Sequence, residues 1–490
     1  MERMTGLDAS FLYFETRTMH MHVVAAIVYD PSTVEGGYSF QKVKDTFAER
    51  LHLVPMLRRR LATVPFNVGH PVWVEDENFD LDYHVRRIGC PAPGGEEEFA
   101  DVVADIASRR LDRTRPLWEQ WIVEGLENGM IGSVMKMHHS TVDGVSGANM
   151  LIHFLDLEPS PPPKEDAEKE WKPERAPSGV TLMAGALAGR AMRPLRLTRQ
   201  VTSSMLRFGN ILFRRWVQRT PGMATPLTAP RTSFNTTITP HRKVAFSHIP
   251  LDEVKAIKNT VGCTVNDVVL AVTSGALRIY LEQGGEQPDR SLIACVPVSV
   301  RTGDDDDEDR PGANKVSALF TSLATDIDDP LDRLMRIHHA NLGAKGEHKA
   351  IGADFLRGWG ELAAPNTFSL AARLYTGLHL SERHPVIHNL VISNVPGPPV
   401  PLYFSGARLV ALYPLGPIFD GAALNLTVLS YLDSLYWGFH TSPEAMPRVW
   451  DLAHAVPEAL AELRKAVESG AARAEPATEP QDPTAEQAPA

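Results

Sequence analysis

The chain has 490 residues, of which 43% are hydrophobic and 22% are charged, a composition typical of globular proteins. Its length exceeds what one hydrophobic core usually organises and predicts two domains. A net charge of −11, without a basic and aromatic recognition module, argues against binding to nucleic acid.

The expected cellular compartment is inferred from features that the sequence does not show. No apolar run reaches the roughly 18 residues that a membrane-spanning helix needs. The first residues lead into amphipathic sequence without the apolar region of a secretory signal. Three widely spaced cysteines predict reduced thiols and no disulfide framework. We therefore expect a cytoplasmic protein.

Strand and helix patterns alternate in the first third of the chain. Apolar, β-branched runs predict strands at residues 23–29, 121–124 and 131–137, and apolar side chains at helical spacing predict helices at residues 40–51, 99–110 and 145–152. We assign these elements to a first domain, residues 1–158.

The loop after the strand at residues 131–137 carries the most informative motif, HHSTVDG. Catalytic groups commonly lie on such loops. His139 is the candidate general base, because a histidine with a pKa of about 6.5 can take a proton from a hydroxyl at neutral pH. His138 is its supporting neighbour, and Gly144 forms the turn into the next helix. Asp143 either folds back under the loop or, as we favour, pairs with a distant arginine to hold the loop.

Two other interpretations compete with a catalytic loop. The histidines can be ordinary polar loop residues, or imidazole and carboxylate can bind a metal. The metal interpretation lacks a second ligand pair at zinc spacing, so we predict no metal. A second pair, His338 and His339, lies in a helix-like stretch without the Asp-Gly, and we expect it on an exposed helix face.

The chemistry that fits the motif is base-assisted acyl transfer to a hydroxyl. Acyl-CoA is an activated thioester, so no serine or cysteine nucleophile is needed, and the chain has no Gly-x-Ser-x-Gly elbow. We expect no covalent acyl-enzyme. Acyl-CoA is then a substrate, and no cofactor is expected.

Residues 159–240 are predicted to separate two domains. Residues 158–179 are rich in Pro, Lys and Glu and read as an exposed linker. Residues 175–251 contain twelve Lys and Arg but no Asp or Glu, so this segment carries +12 and the remaining chain −23. Apolar residues at helical spacing within residues 180–219 predict a basic amphipathic helix. It lies either on an anionic membrane or lipid-inclusion surface or between the domains.

A second series of elements follows. Strands are predicted at residues 244–249, 293–300, 390–392, 409–412, 424–430 and 435–440, and helices at residues 251–259, 265–281 and 445–468. They form a predicted second domain, residues 241–468. The tail, residues 469–490, is rich in Ala, Pro and Glu and is expected to be disordered. The direct interpretation is an α/β fold of two domains with mixed sheets and flanking helices.

The pattern His-His-x-x-x-Asp-Gly is shared by a superfamily of CoA-dependent acyltransferases. This superfamily includes peptide-synthetase condensation domains and plant acyltransferases, whose Asp-Phe-Gly-Trp-Gly signature is absent here. The chain further resembles the bacterial wax ester synthase/diacylglycerol acyltransferase family at residues 7–12 (LDASFL), 115–118 (RPLW), 264–269 (TVNDVV), 297–301 (PVSVR) and 393–398 (SNVPGP).

This resemblance implies two chloramphenicol-acetyltransferase-like domains that face each other across an active-site tunnel. It also implies that Arg301 pairs with Asp143, although Arg301 can instead be an exposed residue before the acidic loop 304–309. The implied reaction makes triacylglycerol from acyl-CoA and diacylglycerol, with wax esters from long-chain alcohols as a further product.

Four polar residues of the second domain have two interpretations each. Asn266 and Asp267 either cap the helix at residues 265–281 or line the catalytic pocket. Ser393 and Asn394, expected just after a strand, either donate hydrogen bonds to the reaction's oxyanion or only form a turn. Two other functions stay open: an acyltransferase whose donor is bound to a carrier protein, as in condensation or polyketide-ester enzymes, and a non-catalytic lipid-surface protein.

Overall fold

The structure is a computed structural model that describes residues 2–141, 153–161, 171, 173–174, 177–184, 224–299, 316–351 and 365–474. Its first part contains, in chain order, β1 (Glu2–Arg3), α1 (Gly6–Phe14), β2 (His22–Asp30), α2 (Phe40–Arg50), β3 (Arg59–Ala62), β4 (Val72–Glu75), α3 (Leu81–His84), β5 (Val85–Gly89), α4 (Glu96–Ser108), β6 (Trp118–Glu124) and β7 (Ile131–His138).

The second part continues with β8 (Lys243–Pro250), α5 (Leu251–Val261), α6 (Val265–Gly284), β9 (Ile293–Ser299), β10 (Val316–Ser322), α7 (Pro330–Ile351), α8 (Pro365–Gly377), β11 (Leu390–Val395), β12 (Tyr403–Phe404), β13 (Ala407–Leu415), β14 (Leu424–Tyr431), β15 (Ser434–Thr441) and α9 (Val449–Ala474).

The predicted strands and helices that fall on described residues are confirmed, with ends shifted by a few residues. The helix predicted at residues 145–152 and most of the basic helix at residues 180–219 lie outside the described residues. The prediction of disorder from residue 469 is wrong for residues 469–474, because α9 continues to Ala474.

Two six-stranded sheets organise the molecule. The first sheet has the order β12-β13-β2-β7-β6-β5 and the second the order β10-β9-β11-β14-β15-β8. Both are mixed, because β5 is parallel to β6 in the first sheet and β11 is parallel to both β9 and β14 in the second. A small third sheet joins β1, β4 and β3. The expected mixed sheets with flanking helices are therefore present.

The second part of the chain contributes strands to both sheets. β12 and β13 come from residues assigned to the second domain, yet β13 pairs with β2 of the first sheet, with Leu412 opposite Ile27. Phe234 and Ile238, from the predicted linker, are buried in the core around the second sheet. Each apolar segment packs where its side chains are removed from water, and this position need not follow the order of the chain.

The two sheets meet in a shared core. Val24 and Val134 from the first sheet pack in one cluster with Val244 and Phe246 from the second. The strands approach so closely that a Cβ on Gly438 of β15 would lie 2.0 Å from the Pro414 carbonyl oxygen of β13. Glycine is therefore required where the sheets cross. The first sheet's β7 runs through this junction with all of its side chains buried.

Within the described residues, no single helix is both long and apolar enough to cross a membrane. Helices α5 and α6 satisfy that test only when they are taken together across a bend of 108°. The apolar side chains of α6 belong to the second-sheet core, among them Val268, Val272 and Leu277.

Candidate active site

The motif HHSTVDG begins at the last residue of β7. The backbone N–H of His138 donates to the Leu117 carbonyl at 3.0 Å, and that of His139 donates to the Met21 carbonyl at 2.8 Å. The chain then turns, with the Thr141 hydroxyl donating to the His138 carbonyl at 2.6 Å. Both histidines are thus fixed by backbone bonds to neighbouring segments.

His138 is locked as a neutral imidazole. Its side chain is 1% exposed, and its Nδ1 lies 3.1 Å from the Ser140 backbone nitrogen and 2.7 Å from the Ser140 hydroxyl. A backbone N–H can only donate, so Nδ1 must accept and Nε2 must carry the hydrogen. Nε2 then donates to Glu15 Oε2 at 3.2 Å. Burial lowers the pKa of His138, and the nearby Glu15 only partly offsets this.

Glu15, which follows α1, is the residue that sequence reasoning missed. Its carboxylate accepts hydrogen bonds from Arg110 Nε at 2.7 Å and from Arg113 Nη2 at 2.6 Å, besides the bond from His138. Burial alone would raise the pKa of Glu15, but the His138 hydrogen bond and the two guanidinium charges outweigh it and bring the pKa to about 2. The available signal was a single acid ending the apolar run FLYFE.

His139 differs from His138 in access. Its ring is only half-buried and stacks on Phe11 of α1, with centroids 4.2 Å apart and planes at 17°. Phe11 and Met21 both pack against the core of the second sheet. His139 therefore lies where the two sheets meet, with a partly exposed imidazole. The predicted general base is the more accessible of the two histidines.

The rest of the predicted catalytic loop cannot be placed. Asp143, Gly144 and Arg301 lie outside the described residues. Their roles, including the pairing of Asp143 with Arg301, stay predictions.

Asp267 caps α6, as one of its two interpretations predicted. Its carboxylate accepts from the Thr264 backbone N–H at 3.0 Å while the Thr264 side chain accepts from the Asp267 N–H, which forms a capping box. Asp267 also binds His338 Nδ1 at 2.8 Å and Asn341 Nδ2 at 2.7 Å. The prediction of an exposed pair is therefore wrong for His338, which this carboxylate holds, and correct for His339.

Asn266 of α6 and Asn394 of β11 are in contact. The Asn394 amide donates to Asn266 Oδ1 over a long 3.5 Å. Ser393 and Asn394 lie inside β11 and not after its end, so the prediction of a turn at these residues is wrong. The strand continues because β11 pairs with β14 through Val395. Both side chains are half-buried and remain available to a ligand.

More histidines lie buried near His138. His22 is completely enclosed, and among the described residues neither of its ring nitrogens has a hydrogen-bond partner. Its ring lies 5.6 Å from that of His20 and 6.2 Å from that of His138. Burial lowers the pKa of His20 to about 4, and that of His440, whose Nδ1 donates to the Gly416 carbonyl, to about 3. These imidazoles are neutral at pH 7.

The described residues contain no group of three or more His, Cys, Asp or Glu placed to hold a metal ion. The site therefore consists of a locked neutral imidazole, an accessible imidazole and a junction between two sheets. This arrangement can accept a proton from a bound hydroxyl and return it, which is general acid–base chemistry.

Comparisons with known proteins decide the family. Residues 4–269 match the wax ester synthase/diacylglycerol acyltransferase catalytic domain, and residues 312–464 match the WS/DGAT C-terminal domain. The chain belongs to the wax ester synthase/diacylglycerol acyltransferase family. The resemblance drawn from the sequence motifs is thereby confirmed.

Relatives of similar length come from Mycobacterium tuberculosis. One, named provisionally as a diacylglycerol O-acyltransferase, is 39% identical over 467 residues, covering 94% of this chain and 90% of the relative. Another with the same provisional name is 35% identical over 487 residues, covering 98% of this chain and all of the relative. The family resemblance thus spans both domains.

Solved structures confirm the fold. The wax ester synthase/diacylglycerol acyltransferase from Marinobacter aquaeolei VT8 superposes with a TM-score of 0.67 and 28% identity, covering 96% of this chain and 100% of that one. The first condensation domain of the CDA synthetase gives a TM-score of 0.53 and 13% identity over 96% and 97% of the two chains. The condensation domain shares the two-domain fold.

Proposed function

We propose that this protein transfers the acyl group of acyl-CoA to the hydroxyl of diacylglycerol and makes triacylglycerol. Long-chain alcohols are the second acceptor class and give wax esters. The observation that carries the proposal is the pairing of an accessible His139 with a locked, neutral His138 where the two sheets of this family's fold meet.

The proposed reaction needs one proton acceptor. His139 takes the proton from the acceptor hydroxyl while its oxygen attacks the thioester carbonyl. The tetrahedral intermediate collapses, a C–O bond replaces the C–S bond, and His139 returns the proton to the CoA sulfur. The Asn394 amide of β11 is the proposed hydrogen-bond donor to the developing oxyanion. No acyl group becomes attached to the protein.

The proposed setting is the cytoplasmic side of a lipid surface. Both acceptor classes and both products are water-insoluble, and the chain contains a segment with twelve positive and no negative side chains. Such a segment is attracted to anionic lipid headgroups. Peripheral attachment at a membrane or lipid inclusion is therefore part of the proposal.

The test is release of CoA from palmitoyl-CoA by the purified full chain with diacylglycerol, hexadecanol or no acceptor. We expect release that depends on the acceptor, with the acyl ester recovered and no acyl adduct in the intact protein mass. Release without acceptor would indicate a thioesterase. Activity only with an acyl group on a carrier protein would move the assignment to a condensation-type enzyme, and a stable acyl adduct would contradict direct transfer.

A further inference from the structure

An apolar surface lies on α8 and the segments beside it. We define the apolar patch as Phe14, Phe66, Val180, Leu370, Leu374 and Leu378, all of them exposed large hydrophobic side chains. The three leucines repeat at intervals of four residues and so share one side of the helical segment. Exposed apolar side chains that cluster in this way mark a binding surface.

Two contacts bring Phe14 and Phe66 to α8. The Phe14 ring packs edge-on against Phe368 of α8, with centroids 4.7 Å apart. The Asn366 side chain of α8 donates to the Phe66 carbonyl at 3.2 Å. A Cβ on Gly179, next to Val180, would lie 3.3 Å from Pro65. The loop, the helix and the segment around Val180 therefore lie side by side.

Phe66 is the most unusual member of the patch. It is 84% exposed, and it and Asn67 both have left-handed backbone, with φ of 58° and 50°. Bulky residues rarely adopt that conformation, whereas Asn and Asp tolerate it. The exposed ring gains little from burial and the backbone is strained, so neither feature stabilises the fold. Strain held at an exposed aromatic residue is typical of a binding element.

Charge indicates which partner the patch fits. Residues 64–70, 177–184 and 365–381 contain no Asp or Glu, and Arg373 is exposed between Leu370 and Leu374. The next stretch after Ala184, residues 185–223, contains eight arginines and no acid. In the sequence, a stretch with eight arginines and no acid therefore follows the segment that carries Val180. This combination fits an anionic lipid surface, which binds both apolar and basic side chains.

Helix α1 connects the patch to the catalytic loop. Phe11 stacks on His139, and Phe14, less than one helical turn further along, packs on α8. We propose that the apolar patch docks on an anionic phospholipid membrane, so that acceptor lipid enters the site from the bilayer beside α1. This inference rests on the proposed function for its lipid acceptor, but the docking itself can be tested without turnover.

The experiment is flotation of the full chain with vesicles of equal parts phosphatidylcholine and phosphatidylglycerol, without any substrate. Phe66→Asn and Leu374→Asn remove apolar side chains from the patch. Val410→Asn is the matched control, because Val410 is an exposed apolar residue on β13 of the first sheet. We expect each patch variant to bind the vesicles about tenfold more weakly, as one large side chain stays in water, and the control to bind as wild type does.

Asparagine is chosen as the replacement so that a loss of vesicle binding can be separated from a loss of folding. Since asparagine tolerates left-handed backbone, Phe66→Asn should keep or raise the melting temperature while vesicle binding falls. Binding that both patch variants retain would overturn the proposal, as would a wild-type chain that does not float with these vesicles. A lower melting temperature with unchanged binding in Leu374→Asn would show that the chain's own segments cover the patch, which also contradicts it.

Acyl transfer measured separately distinguishes the two proposals. With a short-chain acceptor dispersed in detergent, Phe66→Asn should keep wild-type turnover, because the membrane step is bypassed. If the chain binds vesicles but transfers no acyl group, the proposed reaction is contradicted and the docking surface is supported. Turnover with detergent-dispersed acceptor but no vesicle binding would support the proposed reaction and contradict the docking surface.

Discussion

The chain contains two His-His pairs, and their comparison shows what makes one of them a candidate catalytic pair. In both pairs the first histidine binds a buried carboxylate: His138 binds Glu15 at 3.2 Å, and His338 binds Asp267 at 2.8 Å. In both pairs the second histidine is the more accessible one. The dipeptide and its carboxylate partner therefore do not by themselves define a site.

The difference lies in what surrounds the second histidine. His139 stacks on Phe11 of α1, which packs against the core of the second sheet. His339 lies on the exposed face of α7. The carboxylates differ as well, since Arg110 and Arg113 hold Glu15, whereas Asn341 and Thr264 hold Asp267 as a helix cap. One pair lies where the two sheets meet, and the other lies on a helix that packs against α6.

The largest expected effect separates the two second histidines. His139→Ala should lower kcat for acyl transfer by about 10²–10⁴-fold, the usual contribution of a general base. His339→Ala should leave kcat unchanged, because its ring lies in solvent. Steady-state CoA release at saturating palmitoyl-CoA measures both. If kcat falls by a similar factor in the two variants, His139 is not the general base.

A smaller effect is expected when the carboxylate–imidazole pairs are broken. Glu15→Gln keeps the shape but removes the charge that Arg110 and Arg113 neutralise, so His138 and the turn after it are held less firmly. We expect kcat to fall by up to about a hundredfold, the cost of a displacement of about 1 Å in a catalytic group. KM for palmitoyl-CoA should change little.

His338→Ala is the matched control for that prediction. It breaks the corresponding pair on α7 and should lower the melting temperature while lowering kcat much less than Glu15→Gln does, because Asp267 holds His338 and Glu15 holds His138. An equal loss of kcat in both variants would mean that Glu15 supports the fold in general and does not position His138.

These pairs also show how far sequence reasoning reached. The apolar, β-branched run predicted β7, and the motif after it identified His138 and His139, because both signals are local. Glu15 lies 123 residues from His138, and Asp267 lies 71 residues from His338, so no spacing rule relates the partners. The insertion of β13 beside β2 was missed for the same reason, since its sequence reads as a strand but does not state which sheet it joins.

The last prediction concerns the stability of the fold against acid and not its activity. His20 and His440 have pKa values of about 4 and 3 in the folded chain, because burial disfavours their charged forms, against an ordinary value near 6.5. The unfolded chain therefore binds more protons in that interval. The stability these groups provide is complete above pH 6.5 and is lost as the pH falls toward 4 and then 3. Each such histidine contributes a slope of about 1.4 kcal/mol per pH unit.

His22 gives the sharpest test of this slope, because burial pushes its pKa well below the ordinary value and neither ring nitrogen has a described partner. His22→Leu should flatten the decline in unfolding free energy as the pH falls below 6.5, by about 1.4 kcal/mol per pH unit. At pH 7 it should keep or raise stability, because an enclosed polar ring without hydrogen bonds is replaced by an apolar side chain. His339→Leu, on the exposed face of α7, should leave the slope as it is. Urea unfolding at several pH values measures both variants, and parallel slopes in wild type and His22→Leu would mean that His22 has a hydrogen-bonded, chargeable environment in solution.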